Sequence, residues 1–443
     1  MKQILKKRQE KLLTELPSRS LVLIFSAELK QRNNDCYYEF RQNSDFFYLT
    51  NFDEPNSALI LIKENLDNKI NRSIFFSQKK ELKKEIWEGK ITGYQKAKEL
   101  YGFDQSYDFE DLLKIFKENL AEINCCYFDF LEQDYFFLKQ AIKQTLIEHR
   151  ITQVFNIKSA LGKLRLIKSQ EEIKNLKQSA QVNIRAHLAA ISLSKPGIHE
   201  YNLQAVLEKT YREHNQKIAY NSIVASGKNA TVLHYTDNDR LLENQELVLI
   251  DAGCEKDYYA SDITRTFPVG KRFTSKQKDI YQIVLDTQKS IITEISQQKI
   301  KFFSEIHKRT LDLLLDRLIQ INLIRTSKEQ AYFEKLYFKF YMHGTSHWMG
   351  LDVHDPCPYK DEKNQSLELK PGMVFTIEPG LYFHESLQKL ENLGKEKLNI
   401  KLIQEYLGIG IRIEDNILIT KDGCEILTGN LPKEIKDLES LKI

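Results

Sequence analysis

The chain is 443 residues long, 42% hydrophobic and 29% charged, which is enough for two or three globular cores. Its 65 basic and 62 acidic residues leave a formal charge of +3, too balanced to mark a nucleic acid or an anionic membrane as partner. No apolar run reaches the roughly 18 residues of a membrane span, and the opening MKQILKKRQEKLL lacks an apolar secretory core, so a cytoplasmic protein is expected.

Residues 1–165 alternate short apolar runs with amphipathic stretches. Strands are predicted over 21–25, 58–62, 73–76 and 126–130, and helices over 108–120 and 135–149. That alternation predicts an α/β N-terminal domain with a mainly parallel or mixed sheet. A second domain is expected over 166–443. Ser169 followed by Glu172 forms a capping-box pattern that opens a helix to residue 193. Ile173, Leu176, Ala180, Ile184, Leu188 and Ile191 form its apolar face, and Pro196–Gly197 stops it. Further helices are predicted over 201–214, 275–297 and 304–321, followed by strands, an α+β plan with helices outside the sheet. The six cysteines show no zinc-type spacing, so reduced thiols are expected, with any metal held by oxygen and imidazole.

Chemistry is concentrated in the last two-fifths of the chain. Asp251 in VLIDAG and Asp262 in YYASDITRTF lie 11 residues apart, symmetric about the Lys256–Asp257 bond. A tight hairpin through residues 255–258 would set them directly opposite, with side chains ~5 Å apart. The bland alternative is a solvated hairpin carrying two surface aspartates, but the flanking LVLI and ITRTF read as interior. HGTSHWMGLDVHD carries His343, His347 and His354. His347 and His354 differ by an odd number, so Gly344 and Gly350 must bend the backbone if both face one site. Glu378 ends the apolar run MVFTIEPG, and Arg412 and Glu414 in GIRIEDN share one face by alternation. Those last two could be a local ion pair, or a ligand with an arginine orienting it. His234 in LHYTDN is uninformative alone. Four carboxylates converging on an apolar floor would repel and take up protons unless cations lay between them. A pair of divalent metals is the simplest physical account, and oxygen-dominated ligation favours Mn(II).

Taken together, LHYT, IDAGCE, YASDITRTFPVG, MHGTSHWMGLDVHD, MVFTIEPGLY and GIGIRIEDNI resemble the dinuclear metallopeptidases of the pita-bread (creatinase/aminopeptidase-like) fold, and within them the aminopeptidase P family. YEFRQNSDFFYLTNFDEP and EIWEG extend the resemblance into the N-terminal half. It implies metal ligation by Asp251, Asp262, His347, Glu378 and Glu414, with Asp262 and Glu414 bridging the two ions. It also implies active-site roles for His234 and His354, with Tyr382, Arg412 and His343 supporting substrate and ligands. Trp87 and Asp35 match N-terminal positions that approach a neighbouring protomer's site in the family, which implies a homodimer or homotetramer. At Lys363, nine residues after His354, the family pattern has arginine; lysine lacks the planar two-pronged contact. The segment 384–406 is longer than the family pattern and is expected to form a surface excursion near the pocket mouth.

The expected reaction is release of the N-terminal residue from peptides with proline second, through attack by a metal-bridging hydroxide. Glu378 would shuttle the proton, and His354 and His234 would contact intermediate and substrate. Prolidase, which cuts Xaa-Pro dipeptides, is the nearest rival. Methionine aminopeptidase fits less well, because it usually lacks so large an N-terminal domain. A binding module on the same scaffold would have a degraded ligand set, whereas all five ligand positions are filled here.

Overall fold

The computed structural model describes residues 1–64, 71–389 and 396–442, and it divides into two compact units, Met1–Arg165 and Leu166–Ile443. In the first unit, Ser20–Phe25 is a strand buried on both faces. It pairs antiparallel with Ala58–Lys63 and parallel with Cys125–Phe128. Asn71–Ser77, Gln105–Asp108 and Gln153–Phe155 complete a mixed six-stranded sheet. Leu21, Leu23 and Phe25 alternate onto the face covered by Phe116, Ile142 and Leu146, from helices Leu112–Glu118 and Phe136–Glu148. An opening helix, Lys2–Thr14, was not expected from the lysine-rich sequence; it buries Leu5, Leu12 and Leu13 and leaves its lysines in solvent.

The second unit opens with helix Gln170–Leu193, capped as expected by the reciprocal Ser169–Glu172 bonds. Glu200–Glu213, Ser275–Ser296 and Phe303–Gln320 are the other long helices. They surround short antiparallel sheets rather than one continuous one. Leu247–Ala252 lies between Ile223–Ser226 and Ile263–Pro268, and Asp415–Thr420 lies between Val374–Ile377 and Gly423–Ile426. A third pair joins Gly380–Tyr382 to Gly410–Arg412. Interior strands with helices outside give the α+β plan.

The expectation for 384–406 needs correction. Residues 390–395 lie outside the described residues, but Leu387, Leu398, Ile403 and Tyr406 are buried in the main core. The lysines and glutamates of this stretch disguise an apolar face, part of which is helix Ile400–Tyr406. Its described residues do not line the cleft described below.

Candidate functional site

The sheet edges of the second unit meet at a cleft of about 500 Å³, lined by Asp251, Asp262, His347, Glu378 and Glu414 and by His234, His343, His354 and Arg412. Only Asp251 lies within a strand. Asp262 precedes Ile263–Pro268, Glu378 follows Val374–Ile377, and Glu414 sits between Gly410–Arg412 and Asp415–Thr420. His347 lies in an irregular loop. Strand ends thus present Asp262, Glu378 and Glu414, where the backbone is released from the ladder and can turn its side chains inward.

The hairpin register also differs from expectation. Asp257 and Tyr258 both take positive φ, of 49° and 67°, and form the two-residue turn, which centres the hairpin one residue later than expected. Asp251 consequently faces Thr264, not Asp262. Beyond Ala252 the strands crowd together: a Cβ at Gly253 would stand 2.0 Å from Ser261 O. Asp262 keeps the same face as Thr264, two residues along, and so still meets Asp251 diagonally.

The link between the two aspartates is Tyr220, which sequence reasoning missed. Its hydroxyl lies 2.7 Å from Asp251 Oδ1 and also bonds Asp262 Oδ1. On the other side of Asp262, His347 Nε2 lies 3.3 Å from Oδ2, and 3.6 Å from Glu378 Oε1. Asp262, His347 and Glu414 each offer a donor atom within 4.8 Å of the others. Threonines steady the carboxylates: Thr264 Oγ1 donates to Glu414 Oε2 at 2.7 Å, and Thr376 Oγ1 to Glu378 Oε1 at 3.2 Å. Asn416 accepts from Asp262 N–H at 3.1 Å. Thr264, Thr376 and Asn416 each stand two residues from a carboxylate, the one sequence signal that could have found them. Tyr220 has no such signal.

Arg412 and the histidines build the remaining wall. Arg412 donates to Asp251 Oδ2 at 2.6 Å and to the Tyr382 hydroxyl at 2.9 Å. His343 stands 2.8 Å from that hydroxyl through Nε2 and 2.7 Å from Gly344 O through Nδ1. Because Gly344 O only accepts, His343 carries its proton on Nδ1 and receives the Tyr382 proton on Nε2. Burial and the charge of Arg412 push its pKa down to about 3, which keeps it neutral. The rings of His347 and His354 meet edge to face at 4.1 Å, so the backbone does turn between them. His234 is exposed at the rim. Asp35 and Trp87 belong to the first unit, where both are exposed, Trp87 by 90%.

The electrostatics test whether this set suits a cation. Burial pushes Glu378 up to about 7 against the pull of His347 and Arg412. Burial and then repulsion from Asp262, Glu378 and Asp251 raise Glu414 well above the carboxylate range. Asp251 is raised by burial, which Arg412 partly offsets. Asp262 is the exception: its bond to and charge from His347 outweigh burial and hold it low. His347 is correspondingly raised to about 9, since Asp262 and Glu378 outweigh its desolvation. Arg412 and His347 alone thus leave three carboxylates strained toward protonation, and divalent cations would relieve all of them. The donors fit a hard metal: carboxylate oxygens and one imidazole, with no thiolate among the residues lining the cleft.

The pattern of metallopeptidase family M24 matches residues 174–421, and that of the aminopeptidase P N-terminal domain matches residues 5–127. The chain is 35% identical over 442 residues to a Xaa-Pro aminopeptidase of Haemophilus influenzae, covering 99% of this chain and 97% of the relative. It is 33% identical to the Xaa-Pro aminopeptidase of Escherichia coli, with 100% and 98% covered. Among solved structures, a zinc-substituted E. coli aminopeptidase P in complex with product superposes with a TM-score of 0.90 at 33% identity, covering 100% of this chain and 98% of that one. The fold is therefore an α/β N-terminal domain followed by a pita-bread catalytic domain. With a family pattern spanning more than half its length and relatives this similar end to end, the chain belongs to metallopeptidase family M24 and carries an aminopeptidase P N-terminal domain.

Proposed function

We propose that this protein is a metal-dependent exopeptidase that releases the N-terminal residue from peptides with proline in the second position. The observation that carries the reading is the convergence of Asp251, Asp262, His347, Glu378 and Glu414 on one cleft rimmed by three further histidines. Asp262 and Glu414 would bridge two divalent ions, Asp251 completing one and His347 with Glu378 the other; Mn(II) is the proposed metal. When bound, such ions polarise a carbonyl oxygen and bring the pKa of a water toward neutrality.

The chain's own residues supply the rest. Glu378, lining the cleft beside His347 and Asp262, would take a proton from the attacking water and deliver it to the proline nitrogen. That nitrogen is a tertiary amide without an N–H and needs a proton to leave. His354, at the cleft with its ring against His347, would donate one N–H to the developing oxyanion. His234 holds the peptide from the exposed rim. Ile223, Leu233 and Val353 provide the apolar part of the lining, suited to a pyrrolidine ring. Arg412 and Tyr382 hold Asp251 and His343 in place.

A homodimer or homotetramer goes with this reading, in which Trp87 and Asp35 approach a neighbouring protomer's site. Supporting it, Leu82, Ile86 and Trp87 expose 76%, 81% and 90% of their surface on helix Leu82–Glu88. Lys363 is exposed and offers that interface only a point charge. A cytoplasmic location is proposed from the buried thiols of Cys125, Cys126 and Cys254, which form no disulfide; among the described residues no helix is long and apolar enough to cross a membrane.

The test is hydrolysis of an Arg-Pro-Pro peptide with and without Mn(II). Release of arginine that depends on the metal and stops with chelator is expected. Cleavage of Xaa-Pro dipeptides alone would make the protein a prolidase. No cleavage of either with Mn(II), Co(II) or Zn(II) would remove the reading.

A further inference from the structure

Lys168 and Asp355 form an ion pair at 3.1 Å whose side chains are each only 1% exposed. A buried pair of this kind contributes little net stability, because desolvation offsets most of the attraction. Its position in the chain is more informative. Asp355 directly follows His354, and Lys168 directly precedes the capping box of the first helix of the unit. Lys168 is itself held by its N–H bond to Gly372 O at 2.9 Å.

The Asp355 carboxylate occupies the inside of the turn that carries both site histidines. Its Oδ1 receives Asp352 N–H at 3.4 Å, and its Oδ2 receives Lys168 and, at 3.2 Å, the Cys357 thiol. Asp355 N–H closes the turn onto Trp348 O at 2.9 Å. Gly350 lies against the carboxylate, where a Cβ would stand 2.6 Å from Oδ2. The His347 end is fixed separately: Thr376 N–H donates to His347 O at 3.0 Å, and His347 N–H donates to Thr376 Oγ1 at 3.1 Å. At the His354 end the turn is closed through Asp355, by its N–H on Trp348 O and by its carboxylate on Asp352 N–H.

We propose that the Lys168–Asp355 pair is a positioning device for His354, setting its ring against His347 at the mouth of the cleft. The inference rests on the peptidase reading above. Asp355 and Lys168 would touch neither substrate nor metal; they act through the loop backbone. Groups that orient a site residue from behind typically cost about tenfold to a hundredfold in rate when removed.

Removing one partner alone would strand a buried charge and destabilise the fold. The test is therefore the double variant Lys168→Met/Asp355→Asn, made in the native chain and in a His354→Ala background. Metal content, thermal midpoint, kcat and KM are measured on a proline-second peptide with Mn(II). In the native background kcat should fall about tenfold to a hundredfold, while KM and metal content stay within about twofold. In the His354→Ala background the same two substitutions should cost less than about threefold, because the residue they position is gone. An equal loss in both backgrounds, loss of bound metal, or undiminished kcat would overturn the proposal. Failure of the unaltered protein to cleave any proline-second peptide would instead overturn the peptidase reading, which keeps the two outcomes apart.

Discussion

Arg412 donates to Asp251 Oδ2 at 2.6 Å in the wall of the cleft, the guanidinium buried and the carboxylate partly so. The same guanidinium reaches the Tyr382 hydroxyl and, through Nε, Thr264 Oγ1 at 3.1 Å, so one planar cation orients three partners. Arg412 is also the main influence holding Asp251 down against its burial. Arg412→Gln removes that cation and should therefore lower metal affinity and kcat/KM by about tenfold to a hundredfold. The loss should be larger at pH 6 than at pH 8, since Asp251 then protonates more readily. Metal titration at both pH values checks this, and a pH-independent loss would argue against it.

Tyr220 joins Asp251 to Asp262 through a single hydroxyl. Tyr220→Phe keeps the ring and removes only that bridge. Metal affinity should fall about tenfold, with thermal stability of the metal-free protein little changed. Titration of metal-free variant with Mn(II) measures it; native affinity would show that the hydroxyl is dispensable.

Metal binding and stability should be linked through pH. Glu378 and His347 have folded pKa values of about 7 and about 9, both raised above their ordinary ones. A raised group contributes stability below its unfolded pKa and loses it as pH rises through the folded value. The metal-free protein should therefore lose stability between about pH 4.5 and 9. Metal binds the deprotonated carboxylates and neutral imidazole, so its stabilising effect should grow over the same range. Thermal midpoints with and without Mn(II) should differ more at pH 8 than at pH 5.5. The reverse order would contradict the assignment of these residues as ligands.

Asp262→Asn keeps the size of the proposed bridging residue and removes its charge. Loss of most bound metal and at least about a hundredfold of kcat is expected. Metal analysis beside the peptide assay reads both, and full turnover by this variant would refute the bridging role.

Arg265 and Asp415 are fully buried and paired at 2.7 Å beneath Glu414. Arg265 also donates to Glu414 O at 2.6 Å and so holds the backbone that presents that carboxylate. Although burial alone would raise Asp415, Arg265 and Lys433 outweigh it and keep it ionised. Arg265→Met leaves Lys433 as the remaining cation on that carboxylate, beside the neutral donors Thr428 and Gln288, and the fold should lose ~3–5 kcal/mol. Urea unfolding measures the loss; a change under about 1 kcal/mol would show that the strand end is held by its other contacts.

Much of the architecture was legible because its causes are local. The Ser169–Glu172 cap, the apolar stripe behind it and the Pro196–Gly197 stop all act within a few residues, and the helix forms as read. The buried strands of the first unit were legible as apolar runs for the same reason. The helix Lys2–Thr14 was missed because its few apolar positions stand among lysines, and only packing reveals which face they share. The hairpin register was misjudged by two positions because turn geometry at Asp257 and Tyr258, not strand pattern, sets the pairing.

By itself the sequence determined the chemical identities at the cleft: four carboxylates, an arginine and several histidines, each beside an apolar run that forces it inward or to a sheet end. Only the tertiary structure decided which atoms meet. The Tyr220 bridge spans 42 residues to Asp262, the Arg412 bond spans 161 to Asp251, and the Lys168 pair spans 187 to Asp355. Such contacts follow from how sheet ends and helices pack, a property of the whole chain that no local period or spacing encodes.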